Sequence, residues 1–415
     1  MLDYIIRSVS SGIAYADVNL TSPSIPSAPP PARYLKSIAF LTLLILSHRG
    51  LFLIFSTGIG EVSRLSSSRR KHMKSTTPSR RAMPLRTLGN ELAISAIGFG
   101  AMGMSEFYGP SDDIASLAVL DEALDLGVTM IDTADLYGRG HNEKLIGRFL
   151  SAHKRALSDG RIKIATKCGI ERPADEPYRR TINNSRAYIR SCCEASLARL
   201  GVECIDLYYI HRVDQMADIV ETMGILSELV SEGKIAHIGL CEVSASTLEK
   251  ANNAHKVTAI QTEYSLWTRD VEREILPKAR ELEVGFVAYS PLGRGFLTGQ
   301  ITSTDALAEE DFRRSNPRFQ SDNLAHNLSL LKTVETVAAR HGATLAQIAL
   351  AWLLAQDEHI VPIPGTRRSA FLRENVAAVE IELTPEDLQE LDGSMTPGQV
   401  RGARYTAEGM KGLDA

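Results

Sequence analysis

The sequence predicts an α/β protein, a (β/α)8 TIM barrel preceded by a small hairpin and a disordered N-terminal extension. Two observations carry this. From residue 83 onward, short apolar, β-branched runs alternate with segments whose apolar residues recur every three or four positions. The runs number eight and are nearly continuous in apolar character, as buried parallel strands are. Eight strands alternating with helices favour a barrel over an open doubly wound sheet.

The expected strands are 94–99, 128–132, 162–166, 205–210, 236–240, 259–263, 285–289 and 359–363. Helical period runs through 114–126, 183–200, 219–231, 246–254, 271–282 and 328–352. Gly127, Gly201, Gly233 and Gly342 follow or interrupt these segments, as C-terminal caps do. Ahead of the barrel, 85–88 and 92–94 flank Gly89-Asn90, which suggests a hairpin.

Residues 1–82 read differently. Positions 22–31 are rich in Pro and Ser, and 66–81 in Ser, Thr, Lys and Arg; neither has a hydrophobic period. The apolar stretch 38–59 between them is broken by Ser47, His48, Arg49 and Gly50. As a membrane span it carries Arg49 near its middle, a cost of roughly 2.5–3.5 kcal/mol that neighbouring Leu, Ile and Phe could offset. It lies far from the N-terminus for a simple secretory signal, while its basic, Ser-rich flanks leave a mitochondrial presequence open. We read 1–82 as a dispensable extension or upstream sequence, and 83–415 as the folded body, with Met83 a sensible start for a cytoplasmic enzyme.

The chain of 415 residues is 44% hydrophobic and 23% charged, ordinary globular composition. Residues 1–82 hold 11 Lys/Arg against 3 Asp/Glu, which leaves −12 for the body of a chain whose total is −4. So acidic a body carries no electrostatic footprint for nucleic acid. The five cysteines, Cys168, Cys192, Cys193, Cys204 and Cys241, are odd in number and form no C-x-x-C. They suggest neither a disulfide framework nor a thiolate metal site, and fit a reducing compartment.

One motif favours the competing fold. Gly98-Phe99-Gly100-Ala101-Met102-Gly103 fits the G-x-G-x-x-G dinucleotide fingerprint. That fingerprint should open a helix at once, whereas 105–111, with Gly109-Pro110, delays it. A glycine-rich first barrel strand accounts for the motif instead.

Catalytic groups of such barrels sit where strands emerge at the C-terminal face. Asp132 ends the second run, Lys167 the third and His211 the fourth; Tyr137 follows Asp132 on the loop. Each alone could be a solvated strand end. Together they supply what carbonyl reduction needs. A tyrosine hydroxyl, with a free pKa of about 10, is a weak acid near neutrality. A neighbouring ammonium lowers that value, a carboxylate keeps the ammonium charged, and an imidazole can hydrogen-bond the carbonyl oxygen.

The segments GFGAMGMS, IDTADLYG, ATKCG, DLYYIHRVD, GKIAHIGL, QTEYSLWTRD, VAYSPLGRGFLTG and VPIPGTRRSAFLREN resemble the aldo-keto reductase superfamily, over roughly 83–392 and in its order. Within it the chain is similar to the fungal and plant branch of pyridoxal and perakine reductases. The resemblance implies an NADPH-dependent reduction of an aldehyde or ketone. It casts Tyr137 as general acid, Lys167 as its tuner, Asp132 as partner of Lys167 and His211 as substrate positioner. NADPH would lie across the barrel mouth: Gln261 and Cys241 on the carboxamide, Tyr289 stacked on the nicotinamide, Ser290, Leu292, Gly293 and Arg294 on the pyrophosphate. Gly100 and Met102 would border it. Gly365, Thr366, Arg367 and Arg368 would take the 2′-phosphate, and Glu374 and Asn375 the adenine. Close relatives read Gly-Leu-Ser-Glu where this chain has Gly239-Leu240-Cys241-Glu242; a thiol donates weakly, so cofactor affinity is either reduced or carried by Gln261.

The charged stretch 299–323 resembles a lid over the cofactor, with Arg313 and Arg314 in it. Phe107, Tyr108, Trp267 and the tail after Asp392 are candidates for the substrate wall. The alternative function is a nicotinamide-sensing regulatory or scaffold subunit, against which the intact tetrad argues. A short-chain dehydrogenase would need Tyr-x-x-x-Lys, and Tyr137 is followed at that spacing by His141. The substrate, the reaction's physiological direction and the oligomeric state are not legible. A membrane contact is left open only through 38–59.

Overall fold

The computed structural model describes residues 83–173 and 180–413. The extension, with its apolar stretch, lies outside the described residues. Among these, no helix is long and apolar enough to cross a membrane.

The described residues open on the expected hairpin, β1 (Leu85–Leu88) and β2 (Leu92–Ser95), paired antiparallel through Gly89-Asn90. Its buried Leu88, Leu92 and Ile94 pack with Met130, Leu207, Tyr209, Ala259, Val287 and Val361 in the barrel interior. A Cβ on Gly285, at the start of a barrel strand, would lie 2.5 Å from Leu88 Cδ2. The hairpin thus stoppers the N-terminal end of the barrel.

Eight parallel strands follow: β3 (Phe99–Gly100), β4 (Met130–Asp132), β5 (Lys163–Cys168), β8 (Ile205–Ile210), β9 (Ile235–Cys241), β10 (Ala259–Glu263), β11 (Gly285–Tyr289) and β12 (Ile360–Pro362), neighbours in that order. Between β5 and β8 a short ribbon intervenes, β6 (Ile170–Glu171) with β7 (Thr181–Ile182), which the sequence reading missed. The barrel closes between its first and last strands. Gly98 N–H donates to Pro362 O at 3.0 Å and Gly100 N–H to Pro364 O at 3.4 Å. A Cβ on Gly365 would sit 2.5 Å from Gly100 O, so this close seam needs glycine.

The first barrel strand is a correction. The run 94–99 is not one strand: Leu92–Ser95 belongs to the hairpin, and only Phe99–Gly100 joins the sheet. Continuous apolarity cannot reveal where a chain turns from one buried sheet to another. The stretch 328–352 is likewise broken, into helices Leu331–His341 and Leu345–Gln356 after Ser321–Ser329. Gly342, at φ +60°, ends one helix, and a Thr344–Gln347 capping box starts the next. Helix His141–Ala152 was not anticipated, although its buried Leu145, Ile146, Phe149 and Leu150 keep helical spacing. Helix Arg186–Leu200 starts later than expected, as does Ile275–Glu281. The loop after β3 makes a 3-10 turn at Met102–Met104, and the next helix waits until Asp113, so the glycine motif does not open a helix.

Candidate active site at the barrel mouth

Strand register places the polar strand ends on one rim. Asp132 closes β4, Lys167 stands near the end of β5, and His211 follows β8 at once. A 3-10 turn, Tyr137–Gly140, brings Tyr137 back over the same rim. The Lys167 ammonium donates to the Asp132 carboxylate, and to Thr133 O at 2.7 Å. It lies 5.3 Å from the centre of the Tyr137 ring. The Tyr137 and His211 rings meet edge-on, with centres 5.9 Å apart. All four expected residues are therefore neighbours. They are also buried: Lys167 is 0%, Asp132 3%, Tyr137 8% and His211 9% exposed.

Burial governs their charge. It opposes a proton on Lys167, but the Asp132 carboxylate outweighs it and holds the ammonium above its usual range. Burial also drives His211 well below its ordinary value, aided by Lys167, Arg212 and Arg180, so the imidazole stays neutral and can donate one N–H. Tyr137 feels two opposed effects. Lys167 does pull its pKa down, yet burial wins and pushes the phenol up to about 12. The hydroxyl keeps its proton throughout the neutral range.

Residues 96–395 match the sequence pattern of the Aldo/keto reductase family. A probable aldo-keto reductase of Glycine max is 44% identical over 313 residues, which cover 75% of this chain and 88% of that protein. The chain belongs to the aldo-keto reductase family. Solved structures agree in fold. A glycerol dehydrogenase of Gluconobacter oxydans superposes with a TM-score of 0.67 at 28% identity, over 74% of this chain and 94% of its own. The holo form of an aldo-keto reductase of Bacillus halodurans gives 0.63 at 28%, over 76% and 97%. Family membership makes the protein an oxidoreductase of the carbonyl-reducing kind, a family that works with NAD(P)H.

The rest of the reductase's mouth departs in part from the sequence reading. Gln261, expected on a carboxamide, donates at 2.7 Å to the second Asp132 oxygen, so it also holds the Asp132–Lys167 pair in place. Cys241, opposite it in register, is buried, and burial raises its thiol to about 12. Tyr289 is half-buried, and its hydroxyl donates to Glu242 at 2.6 Å and meets the Tyr405 hydroxyl at 2.7 Å. Glu242 itself, at φ +52°, is buried and paired with Arg404 at 2.7 Å. A non-glycine residue held there is a strain that surrounding contacts must over-determine. Glu242, Arg404 and Tyr405 were missed because the ion pair joins positions 162 apart. The tail candidate nevertheless reaches the mouth through them.

The loop Ser290–Gly295 carries four left-handed residues: Ser290, Gly293, Arg294 and Gly295. Arg294 is buried and bonded at 2.6 Å to Glu263, with the Tyr405 ring 4.8 Å from its guanidinium. Its Nη1 is buried without a hydrogen-bond partner. Arg367 meets protein partners as well. Its guanidinium is spent on the carbonyls of Tyr108, Gly109 and Pro110, tying down the first loop. Arg368 stays exposed, stacked on Phe371 at 3.8 Å, at the N-terminus of helix Ser369–Ala377. Thr366 accepts from the Arg368 N–H, Asn375 is buried on that helix, and the Glu374 carbonyl accepts from Gln347.

Phe107 and Met102 pack in one cluster with Tyr137, Leu136 and Ile170. Phe312 of the charged stretch closes edge-on over Phe107 (6.2 Å) and Tyr108 (5.3 Å). Arg313, bonded to Asp311 and to the Arg294 carbonyl, seats that stretch on the pyrophosphate candidate loop; Arg314 binds carbonyls of its own stretch. Trp267 does not face the mouth. It is 1% exposed, stacked at 3.9 Å on Phe296 with Phe319 and Arg318 against it, so it is a core residue.

Proposed function

We propose that this aldo-keto reductase uses NADPH to reduce an aldehyde or ketone, with Tyr137 as the general acid. The observation that carries the reading is the buried contact of Tyr137, Lys167, Asp132 and His211 on one rim. A neutral His211 can donate to a carbonyl oxygen and fix its orientation. The Tyr137 hydroxyl, protonated through neutral pH, gives its proton to that oxygen as negative charge grows on it. Lys167 stabilises the phenolate so formed, and Asp132, held by Gln261, stabilises Lys167.

The residues present fit a nicotinamide dinucleotide. The unpartnered Arg294 Nη1 and the left-handed turn Ser290–Gly295 suit a pyrophosphate. The exposed Arg368 at a helix N-terminus, with Thr366, suits a 2′-phosphate and favours NADPH over NADH. Bound there, the cofactor supplies hydride to the carbonyl carbon. Cys241, Tyr289, Leu292, Gly293, Gly365, Glu374 and Asn375 complete its proposed contacts. Met102 and the close pair Gly100–Gly365 line its path. The free thiols fit a reducing, cytoplasmic setting, and the pyridoxal reductase-like branch suggests pyridoxal among the aldehydes to try first.

The test is NADPH oxidation over a panel of aldehydes that includes pyridoxal, for the wild type and Tyr137→Phe. The variant should keep NADPH binding and lose roughly 100- to 10,000-fold in kcat. An unchanged kcat would remove Tyr137 from the role. Tight NADPH binding without turnover of any carbonyl would favour the sensing subunit.

A further inference from the structure

Among the described residues, the charges around the reacting pair do not balance. Five cations stand at this part of the mouth: Lys167, Arg172, Arg180, Arg212 and Arg404. Three carboxylates face them, and each is already bonded by one cation: Asp132 by Lys167, Glu106 by Arg172 at 2.7 Å, and Glu242 by Arg404 at 2.7 Å. Arg180 and Arg212 are left over. Among the described residues neither forms an ion pair within 4.0 Å.

Both lie beside the catalytic groups. Arg212 follows His211 directly, and its Nη1 donates to the His211 carbonyl at 2.7 Å, which fixes the guanidinium at the imidazole's base. Its Glu242 neighbour is held by Arg404 and Tyr289, so the rest of its donor fork is uncommitted to a carboxylate. The Arg180 guanidinium lies 5.3 Å from the centre of the Phe107 ring. Phe107 packs in the same cluster as Tyr137. The two arginines sense each other and His211 electrostatically. Both act on His211, whose ring meets Tyr137 edge-on. Like charges gathered there, with no described carboxylate bonded to them, in a body of net −12, mark a place built to receive an anion.

We infer that the preferred substrate is a carbonyl compound that carries an anionic group, carboxylate or phosphate, a few atoms from its aldehyde or ketone, and that Arg180 and Arg212 bind that group. Phe107 and Tyr108 supply an apolar wall for the carbon skeleton between them. This rests on the reductase reading above and extends it to the substrate class. Guanidinium forks suit both anions, since each presents parallel N–H donors to two oxygens.

The test compares three aldehydes of one shape: 4-carboxybenzaldehyde, 4-formylphenyl phosphate and the neutral 4-formylbenzamide. In the full chain with NADPH, at least one anionic aldehyde should exceed the benzamide in kcat/KM by roughly 10- to 100-fold, and which one names the anion. In Arg180→Met and Arg212→Met that ratio should collapse toward one, and in Arg180→Glu it should invert. The ratio is internal to each protein, so a partly unfolded variant does not distort it. Arg180, exposed, can be changed without opening the core. A wild-type ratio near one, or a ratio unmoved in Arg180→Glu, overturns the inference while leaving the reductase standing. If no aldehyde is turned over, the reductase reading fails instead. Calorimetry of 4-(hydroxymethyl)benzoate against its amide then decides the anion site: carboxylate-dependent binding lost in Arg180→Glu supports it, and equal binding overturns it.

Discussion

Asp135 lies three residues beyond the end of β4, its N–H donating to Lys167 O at 3.1 Å. Its Oδ1 is buried without a hydrogen-bond partner. Burial, then the nearby Glu143, lifts its carboxyl to about 7. A carboxyl whose folded pKa is raised contributes its full stability below its unfolded value, and that stability is lost as pH rises through about 7. Asp135→Asn should therefore raise the melting temperature, and by more at about pH 8 than at about pH 5. Equal shifts at both values would mean that the residue is ionised in the fold. At the same scale, burial holds the Tyr137 phenol above its free value of about 10.

Among the elements, the C-terminal tail is held by contacts that cross the whole chain. Arg404 reaches Glu242, Tyr405 reaches Tyr289, Asn316 donates to Arg404 O, and the Arg401 N–H donates to Asn327 Oδ1 at 2.9 Å. Its anchor is one buried ion pair. Removing one partner strands the other charge, a loss of roughly 3–5 kcal/mol. In Arg404→Leu the tail should detach locally before the barrel melts. Hydrogen exchange at the Arg401 amide should accelerate by roughly two orders of magnitude while amides of β8 and β9 keep their protection. Uniform acceleration across the barrel would show that the tail is part of one cooperative unit.

For the molecule as a whole, His211 and Asp387 are two of the groups that set the acid limit. Burial depresses His211 far below its ordinary value. Asp387, on helix Pro385–Ser394, is driven down although burial opposes it, because His341, Arg340 and Thr384 all donate to it. Both have folded values below their unfolded ones, so the stability they contribute is present above the unfolded pKa and drains away as pH falls. Thermal stability should start to decline below about pH 6.5, where unfolded histidine protonates, and fall again below about pH 4. In Asp387→Asn the second decline should shrink and the melting temperature at neutral pH should drop. A variant that still shows the full second decline would place the acid-sensitive carboxylates elsewhere.

The sequence determined what is local and periodic. Eight apolar runs gave seven barrel strands nearly to the residue, because a strand buried on both faces must be apolar throughout. Asp132, Lys167 and His211 were legible because a charge at the end of such a run is conspicuous, and Tyr137 because it follows Asp132 so closely. Tertiary structure decided everything that pairs distant positions. It turned Gln261 toward Asp132, gave Arg294 to Glu263 and Arg367 to the Tyr108–Pro110 carbonyls, buried Trp267, and joined Glu242 to Arg404 across 162 positions. A periodic pattern reports which face of an element is buried. It holds no record of which charge that face will meet, and at this mouth those meetings fix which guanidiniums remain for a substrate.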